Sequence, residues 1–311
     1  MAKKEKLEPT PKEYLINGDN YYPNTVAKKT ASLPSGAYSC HTTIEGIPYF
    51  SPINIMTDKI IDIPNSVTED VINEITNFWS DGVSEKFKEY GLVHKRGVLL
   101  AGRPGTGKTV TLARTAEIVI DELDGVVLFN PSAGDLSAFL RLIKEIEPTR
   151  KILVIWEEFD SIIGGYESEL LSLLDGEVQV GNIVYLATTN YLTRIPSRIK
   201  NRPSRFARII EVVEPTAEAR RIFLESKLTK ADKTKHLEAM VQASDGFVMD
   251  QLKDMIISVC CFNYTIDTAV RKIKEMEEDS LGIDDYNEEQ AKSVFKSKAK
   301  NYKSKPLQPL K

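Results

Sequence analysis

Apolar and polar residues follow two periods along this chain, and their alternation is the first guide to the fold. Val98-Leu99-Leu100-Ala101, Val126-Val127-Leu128-Phe129, Ile152-Leu153-Val154-Ile155-Trp156 and Ile183-Val184-Tyr185-Leu186-Ala187 are apolar throughout. Short unbroken runs of this kind predict strands buried on both faces. Between them the period becomes helical: Leu136, Phe139, Leu140 and Ile143 share one face over about 135–147, and Val110 to Ile120 is helix-compatible. Arg208 to Val213 reads as the last strand. Strands alternating with helices predict an α/β fold, a parallel sheet with helices on both faces. Upstream, Val71, Ile72, Ile75 and Phe78 predict a helix over 66–78, with Ser66 and Glu69 as a capping box. A shorter helix from Val83 to Tyr90 ends at Gly91.

Beyond the last strand the pattern is helical, with amphipathic stretches over 218–229 and 236–243. At the other end, residues 1–30 are rich in Lys, Pro and Asn and read as a mobile polar arm. Pro34-Ser35-Gly36 reads as a turn and Tyr49-Phe50-Ser51-Pro52-Ile53 as strand material, a small β lead-in. The expected division is 1–57 for arm and lead-in, 58–214 for the sheet domain, 215–300 for a helical domain and 301–311 for a basic tail.

Composition adds exclusions. The 311 residues carry a net charge of −4, so no global field favours nucleic acid; only the lysine-rich tail does, weakly. Cys40, Cys260 and Cys261 have no metal-ligand spacing and read as thiols of a reducing compartment. His41, His94 and His236 are scattered. No apolar run reaches membrane-spanning length and no secretory signal pattern opens the chain, so a cytoplasmic protein is expected.

The candidate chemistry begins at Gly102-Arg103-Pro104-Gly105-Thr106-Gly107-Lys108-Thr109, a P-loop of the form G-x-x-x-x-G-K-[ST] between a predicted strand and a predicted helix. Its glycines let backbone N–H groups wrap a phosphate, and the helix N-terminus adds a positive field. Lys108 is expected to reach the β- and γ-phosphates, and the Thr109 hydroxyl to ligate Mg²⁺. Gly102, Pro104, Gly105, Thr106, Gly107, Lys108 and Thr109 are thus the expected binding residues for ATP. Glu157 and Glu158 close the strand ending at Trp156. Downstream of a P-loop, such a pair holds the metal with its first member (Glu157) and orients the attacking water with its second (Glu158).

Trp156-Glu157-Glu158-Phe159-Asp160-Ser161-Ile162 resembles the Walker B region of the AAA family of ATPases, with Glu157 where that family usually has Asp. Three further segments resemble the same family in the same order. Ile183 to Asn190 is similar to its sensor strand, where an Asn contacts the γ-phosphate or the water. Arg202-Pro203-Ser204-Arg205-Phe206-Ala207-Arg208 is similar to the segment whose two arginines, here Arg202 and Arg205, enter the neighbouring subunit's site. Gly246 to Leu252 is similar to the segment opening a helix of the small lid domain. The resemblance covers roughly 58–300. It implies a P-loop sheet domain followed by a helical lid, hydrolysis of ATP with Mg²⁺, catalytic roles for Glu158, Asn190, Arg202 and Arg205, and a homo-oligomeric, hexameric ring remodelling a protein client.

One further departure qualifies the expectation. Asn130 to Leu136 lacks the aromatic-x-Gly triplet with which threading members grip polypeptide, and Phe139 reads as core. In this trimming, and in Leu170-Leu171-Ser172-Leu173-Leu174-Asp175-Gly176, the chain resembles the compact mitochondrial cytochrome-complex assembly ATPases. Gly164-Gly165-Tyr166 reads as a plain flexible loop. Two alternatives to a remodelling ATPase stand beside it: a nucleotide-switched assembly factor acting on DNA or a replication complex, and a nucleotide binder with little turnover.

Overall fold

The structure, a computed structural model, describes residues 13–17, 20–24, 32–44, 46–55, 61, 67–175, 180–200, 202 and 205–277. Ser66 of the expected capping box, the end of the helical region past 277 and the basic tail lie outside them. The apolar runs become strands β5 (Lys95–Ala101), β6 (Val126–Phe129), β7 (Ile152–Trp156) and β8 (Ile183–Thr189), joined by β9 (Arg208–Glu211). All pair in parallel, in the order β6-β7-β8-β5-β9. Helices α1 (Val67–Phe78), α2 (Val83–Glu89) and α3 (Lys108–Asp121) belong with one face, and α4 (Leu136–Ile146) and α5 (Phe159–Asp175) with the other. Alternate strand residues feed two cores. Val98, Leu100, Leu153 and Ile155 pack with α1 and α3, while Leu99, Val154 and Trp156 pack with α4 and α5. This is why the runs are apolar throughout.

The N-terminal region differs from expectation. Strands β1 (Glu13–Asn17) and β2 (Asn20–Asn24) form an antiparallel hairpin within the stretch read as a mobile arm. The intervening Gly18-Asp19 is a hairpin-loop dipeptide, a local signal outweighed in composition by the surrounding Lys and Pro. The β lead-in is not separate either. β3 (Gly36–Thr42) pairs in parallel with β6, and β4 (Pro48–Ile53) in antiparallel with β3, extending the main sheet to seven strands. Phe50 meets Phe139 edge-on at 5.5 Å, fastening β4 to α4. The chain entering β3 is clamped by α4 and the turn after it: Leu33 N–H donates to Glu147 Oε1 at 2.8 Å, and Arg150 Nη2 donates to Leu33 O at 2.8 Å. Pro48 and Pro52 on the edge strand lack the N–H that an added strand would need.

α5 runs through the expected loop Gly164-Gly165-Tyr166, with a kink where Tyr166 leaves helical geometry (φ −132°, ψ 30°). α6 is the single turn Ser197–Lys200 before β9; then follow α7 (Ala217–Lys227), α8 (Lys230–Ala243), α9 (Met249–Ile256) with a π-helical turn at Ile257–Cys261, and a helical stretch over 266–277. These bury their own core of Phe223, Leu224, Leu237, Met240, Phe247, Leu252 and Met255. No helix among the described residues is long and apolar enough to cross a membrane.

Candidate active site

The C-terminal ends of β5, β7 and β8 lie side by side, where a parallel sheet presents ligand sites. The first carries the P-loop, the second Glu157 and Glu158, the third Asn190. All line one cleft of about 1680 Å³. Its far walls are α1 (Val67, Ile72), α3 (Ile118) and the helical region (Ala219, Phe223, Met249). Gly102 lies at the mouth of the loop but is not among the lining residues, whereas Pro104 to Thr109 are.

The loop has the shape a phosphate cradle needs. Gly105 (φ 78°) and Gly107 (φ 101°) occupy left-handed backbone that side chains disfavour, and Gly107 opens α3. Lys108 is 8% exposed, and its Nζ donates to the carbonyls of Gly102 (2.7 Å) and Arg103 (2.8 Å). Burial pushes its pKa down from the ordinary lysine value, opposed by the carboxylates of Asp160 and Glu158. Thr109 is exposed to the cleft.

The acidic pair is held by its neighbours. Glu157 N–H donates to Asn130 Oδ1 at 2.8 Å, and Glu158 N–H to Thr188 Oγ1 at 3.3 Å. Glu158 sits in left-handed backbone (φ 49°), as does Asn130 (φ 45°). Such residues cost on the order of 1–3 kcal/mol and persist where surroundings enforce them. Trp156 provides part of that enforcement: it is fully buried, stacks on Tyr185 at 5.6 Å, and donates from Nε1 to Pro131 O at 3.1 Å. Asp160 accepts from Thr189 Oγ1 at 2.6 Å and ties the start of α5 to the end of β8.

Glu157, Glu158, Asn190 and the residues Pro104 to Thr109 therefore share one cleft. Arg202 and Arg205 are not among its lining residues. Arg202 has 64% of its side chain exposed, with Nη1 3.6 Å from Asp175. Arg205 is 4% exposed and makes a two-pronged pair with Asp175, Nε and Nη2 each at 2.6 Å from a carboxylate oxygen. The residue whose role was passed over in sequence is Asn130, which directly follows the apolar run Val126 to Phe129. Its only signal was an Asn, tolerant of left-handed backbone, placed between a strand and a proline.

The donor set fits the groups the motifs imply. The left-handed glycines leave room for backbone N–H groups to face an anion. A hydroxyl and a carboxylate, Thr109 and Glu157, are oxygen ligands of the kind that magnesium takes alongside phosphate.

Comparison with known proteins finds one family model and several relatives. Residues 98–214 match the family model described as ATPase family associated with various cellular activities (AAA). The chain is 30% identical over 196 residues to the ATPase family gene 2 protein of Saccharomyces cerevisiae, covering 58% of this chain and 24% of that protein. It is 30% identical over 185 residues to the Cell division cycle protein 48 homolog of Archaeoglobus fulgidus (53% and 25%). It is 33% identical over 195 residues to the Proteasome-activating nucleotidase of Aeropyrum pernix (55% and 46%). These matches span 24% to 46% of the relatives' own lengths.

Proposed function

We propose that this chain is an ATPase whose site is completed by a second copy of itself, and that assembly into a ring couples turnover to remodelling of a protein client. One observation carries the reading: P-loop, acidic pair and Asn190 converge in one cleft, while Arg202 faces solvent outside it. An arginine exposed outside its own cleft is placed where another copy's cleft could receive it. Similarity to the AAA ATPases over 98–214 supports the same reading.

In this account the triphosphate lies along Pro104 to Thr109, and the base meets the apolar wall of Val67, Ile72, Ala219 and Phe223. Lys108 exchanges its two carbonyl partners for phosphate oxygens, whose charge offsets the cost of its burial. Glu158 accepts a proton from the attacking water and Asn190 donates a hydrogen bond beside it. Thr109 and Glu157 are the residues that would hold Mg²⁺, which when bound withdraws charge from the phosphate oxygens. Glu157 is one methylene longer than the usual Asp, so its carboxylate reaches further from β7. The Asn130 to Leu136 segment, which lacks an aromatic-x-Gly triplet, points away from a gripping pore loop.

Glu158→Gln tests the reading. The variant is expected to bind ATP with Mg²⁺ as the parent does, assemble, and lose turnover by at least about 10²-fold. A chain that stays monomeric with and without nucleotide refutes the shared site. Unchanged turnover refutes the role of Glu158.

A further inference from the structure

The two arginines that the family resemblance assigns to a neighbouring copy's site sit in unlike surroundings. Arg205 is committed within its own subunit. Nε and Nη2 hold both oxygens of Asp175, and Nη1 donates to the Arg198 carbonyl. Its backbone is fixed as well: a β-carbon built on Gly97 would lie 2.0 Å from the Arg205 carbonyl oxygen, so this turn rests directly on β5. Arg202, three residues earlier, touches the same carboxylate only at 3.6 Å and is 64% exposed. Swinging Arg205 outward breaks a buried two-pronged pair, whereas Arg202 gives up a loose surface contact.

Asp175 is also the last residue of α5, the helix whose first residue follows Glu158. Seventeen residues at 1.5 Å each make about 25 Å of helix between this copy's acidic pair and the arginine turn. A second pin, Glu167 to Arg198, fastens the same helix to the same segment. Lys95, on β5, completes the joint by donating to the Leu174 carbonyl.

We infer that only Arg202 reaches the neighbouring copy's phosphate, and that Asp175 and Arg205 form a bracket that aims it. The inference rests on the shared-site reading above. Arg202 is then the catalytic residue of the pair, and Asp175 and Arg205 are positioning residues. The bracket makes the aim of Arg202 follow the position of α5, and so the state of the acidic pair at that helix's other end.

The test is steady-state ATP turnover of full-length variants, with native mass spectrometry of each assembly. Arg202→Ala is expected to lower kcat about 10³-fold or more. Asp175→Asn, Arg205→Ala and their double variant are each expected to lower it by the same smaller amount, on the order of 10²-fold, as befits a misplacement of about 1 Å. KM for ATP is expected to change much less than kcat, because the charge that Arg202 meets grows in the transition state. The charge-reversed pair, Asp175→Arg with Arg205→Asp, is expected to recover much of the loss. Arg205→Lys keeps the charge and one bond should the larger changes prevent folding, and is expected to retain more turnover than Arg205→Ala.

Opposite results overturn the proposal: turnover unaffected or raised in Asp175→Asn, Arg205→Ala and Arg205→Lys as inactive as Arg202→Ala, and no recovery on charge reversal. Mixing Arg202→Ala with Glu158→Gln subunits separates the two ideas. Restored turnover supports the shared site, since each variant supplies what the other lacks. No restoration refutes the shared site and the bracket together. Restoration alongside normal turnover in Asp175→Asn refutes the bracket alone.

Discussion

Asn130 offers a perturbation whose parts can be separated. It occupies left-handed backbone (φ 45°) and its Oδ1 accepts the Glu157 N–H at 2.8 Å. Its own N–H donates to Ile155 O at 2.8 Å, so the backbone of the turn is anchored to β7 whatever the side chain. Asn130→Ala loses both side-chain contributions: about 1 kcal/mol for a left-handed residue without Asn's local hydrogen bonding, and about 1 kcal/mol for the lost acceptor. Asn130→Gly loses only the second, because glycine accepts the backbone freely. The expected destabilisation is therefore about 2 kcal/mol for Ala and about 1 kcal/mol for Gly. At about 2–4 °C per kcal/mol for a domain of this size, thermal unfolding of the sheet domain falls by about 4–8 °C and about 2–4 °C. Turnover should separate from stability. Both variants release the Glu157 N–H, so both lower kcat alike, on the order of 10²-fold. Circular dichroism melts and steady-state hydrolysis measure the two effects. Equal melting points for Ala and Gly would refute the backbone part, and parental turnover in Asn130→Gly would refute the positioning part.

Two other perturbations carry a sign from the structure. Gly164 and Gly165 lie in α5 with nothing within 4 Å of a β-carbon built on either. Gly164→Ala with Gly165→Ala is expected to raise stability by about 0.5–1 kcal/mol per site and to slow turnover if the kink at Tyr166 works in the cycle; a lower melting point would show that the kink needs glycine. Burial pushes Lys144 down to about 8, with Glu147 opposing. Between about pH 8 and the ordinary lysine value near 10.4, the unfolded chain holds a proton the folded one has released, so stability should rise with pH across that window. Urea midpoints at successive pH values should show the rise in the parent and a flatter course in Lys144→Met, and equal slopes would count against it.

Much of the site was legible because its signals are local. A P-loop, an acidic pair and an Asn each follow an apolar strand, and parallel pairing of those strands places them together without further information. What stayed hidden depended on partners distant in sequence. Nothing in Gly36 to Thr42 announces that it pairs with Val126 to Leu128. Two adjacent glycines read as a loop, yet packing of Ile163 and Leu170 on either side carries the helix through them. Arg205 resembled Arg202 in sequence, and only the fold distinguishes them: Arg205 is buried against Asp175 and the Arg198 carbonyl, while Arg202 is exposed. Asn130 directly follows a strand pattern, and its bond spans 27 positions to Glu157, the residue just past the neighbouring strand.

The P-loop shows the same limit from another side, since phosphate is not the only constraint on its glycines. A β-carbon on Gly102 would lie 2.2 Å from the Val212 carbonyl, where the chain leaves β9 for α7. One on Gly105 would lie 2.9 Å from Val248 Cγ2, and the Gly105 carbonyl accepts the Met249 N–H at 3.0 Å. The helical region therefore meets the loop by main chain and close packing. Arg103, paired with Glu214 at 3.0 Å and also with Glu277, spans the same junction, but its side chain is 48% exposed. Ion pairs so exposed contribute on the order of 0–1 kcal/mol. The larger constraint is steric: the loop cannot change shape around a phosphate without displacing Val212, Val248 or Met249. Coupling between the nucleotide and the helical region thus needs no relay of side chains, because the loop that wraps the phosphate is itself the surface on which that region rests.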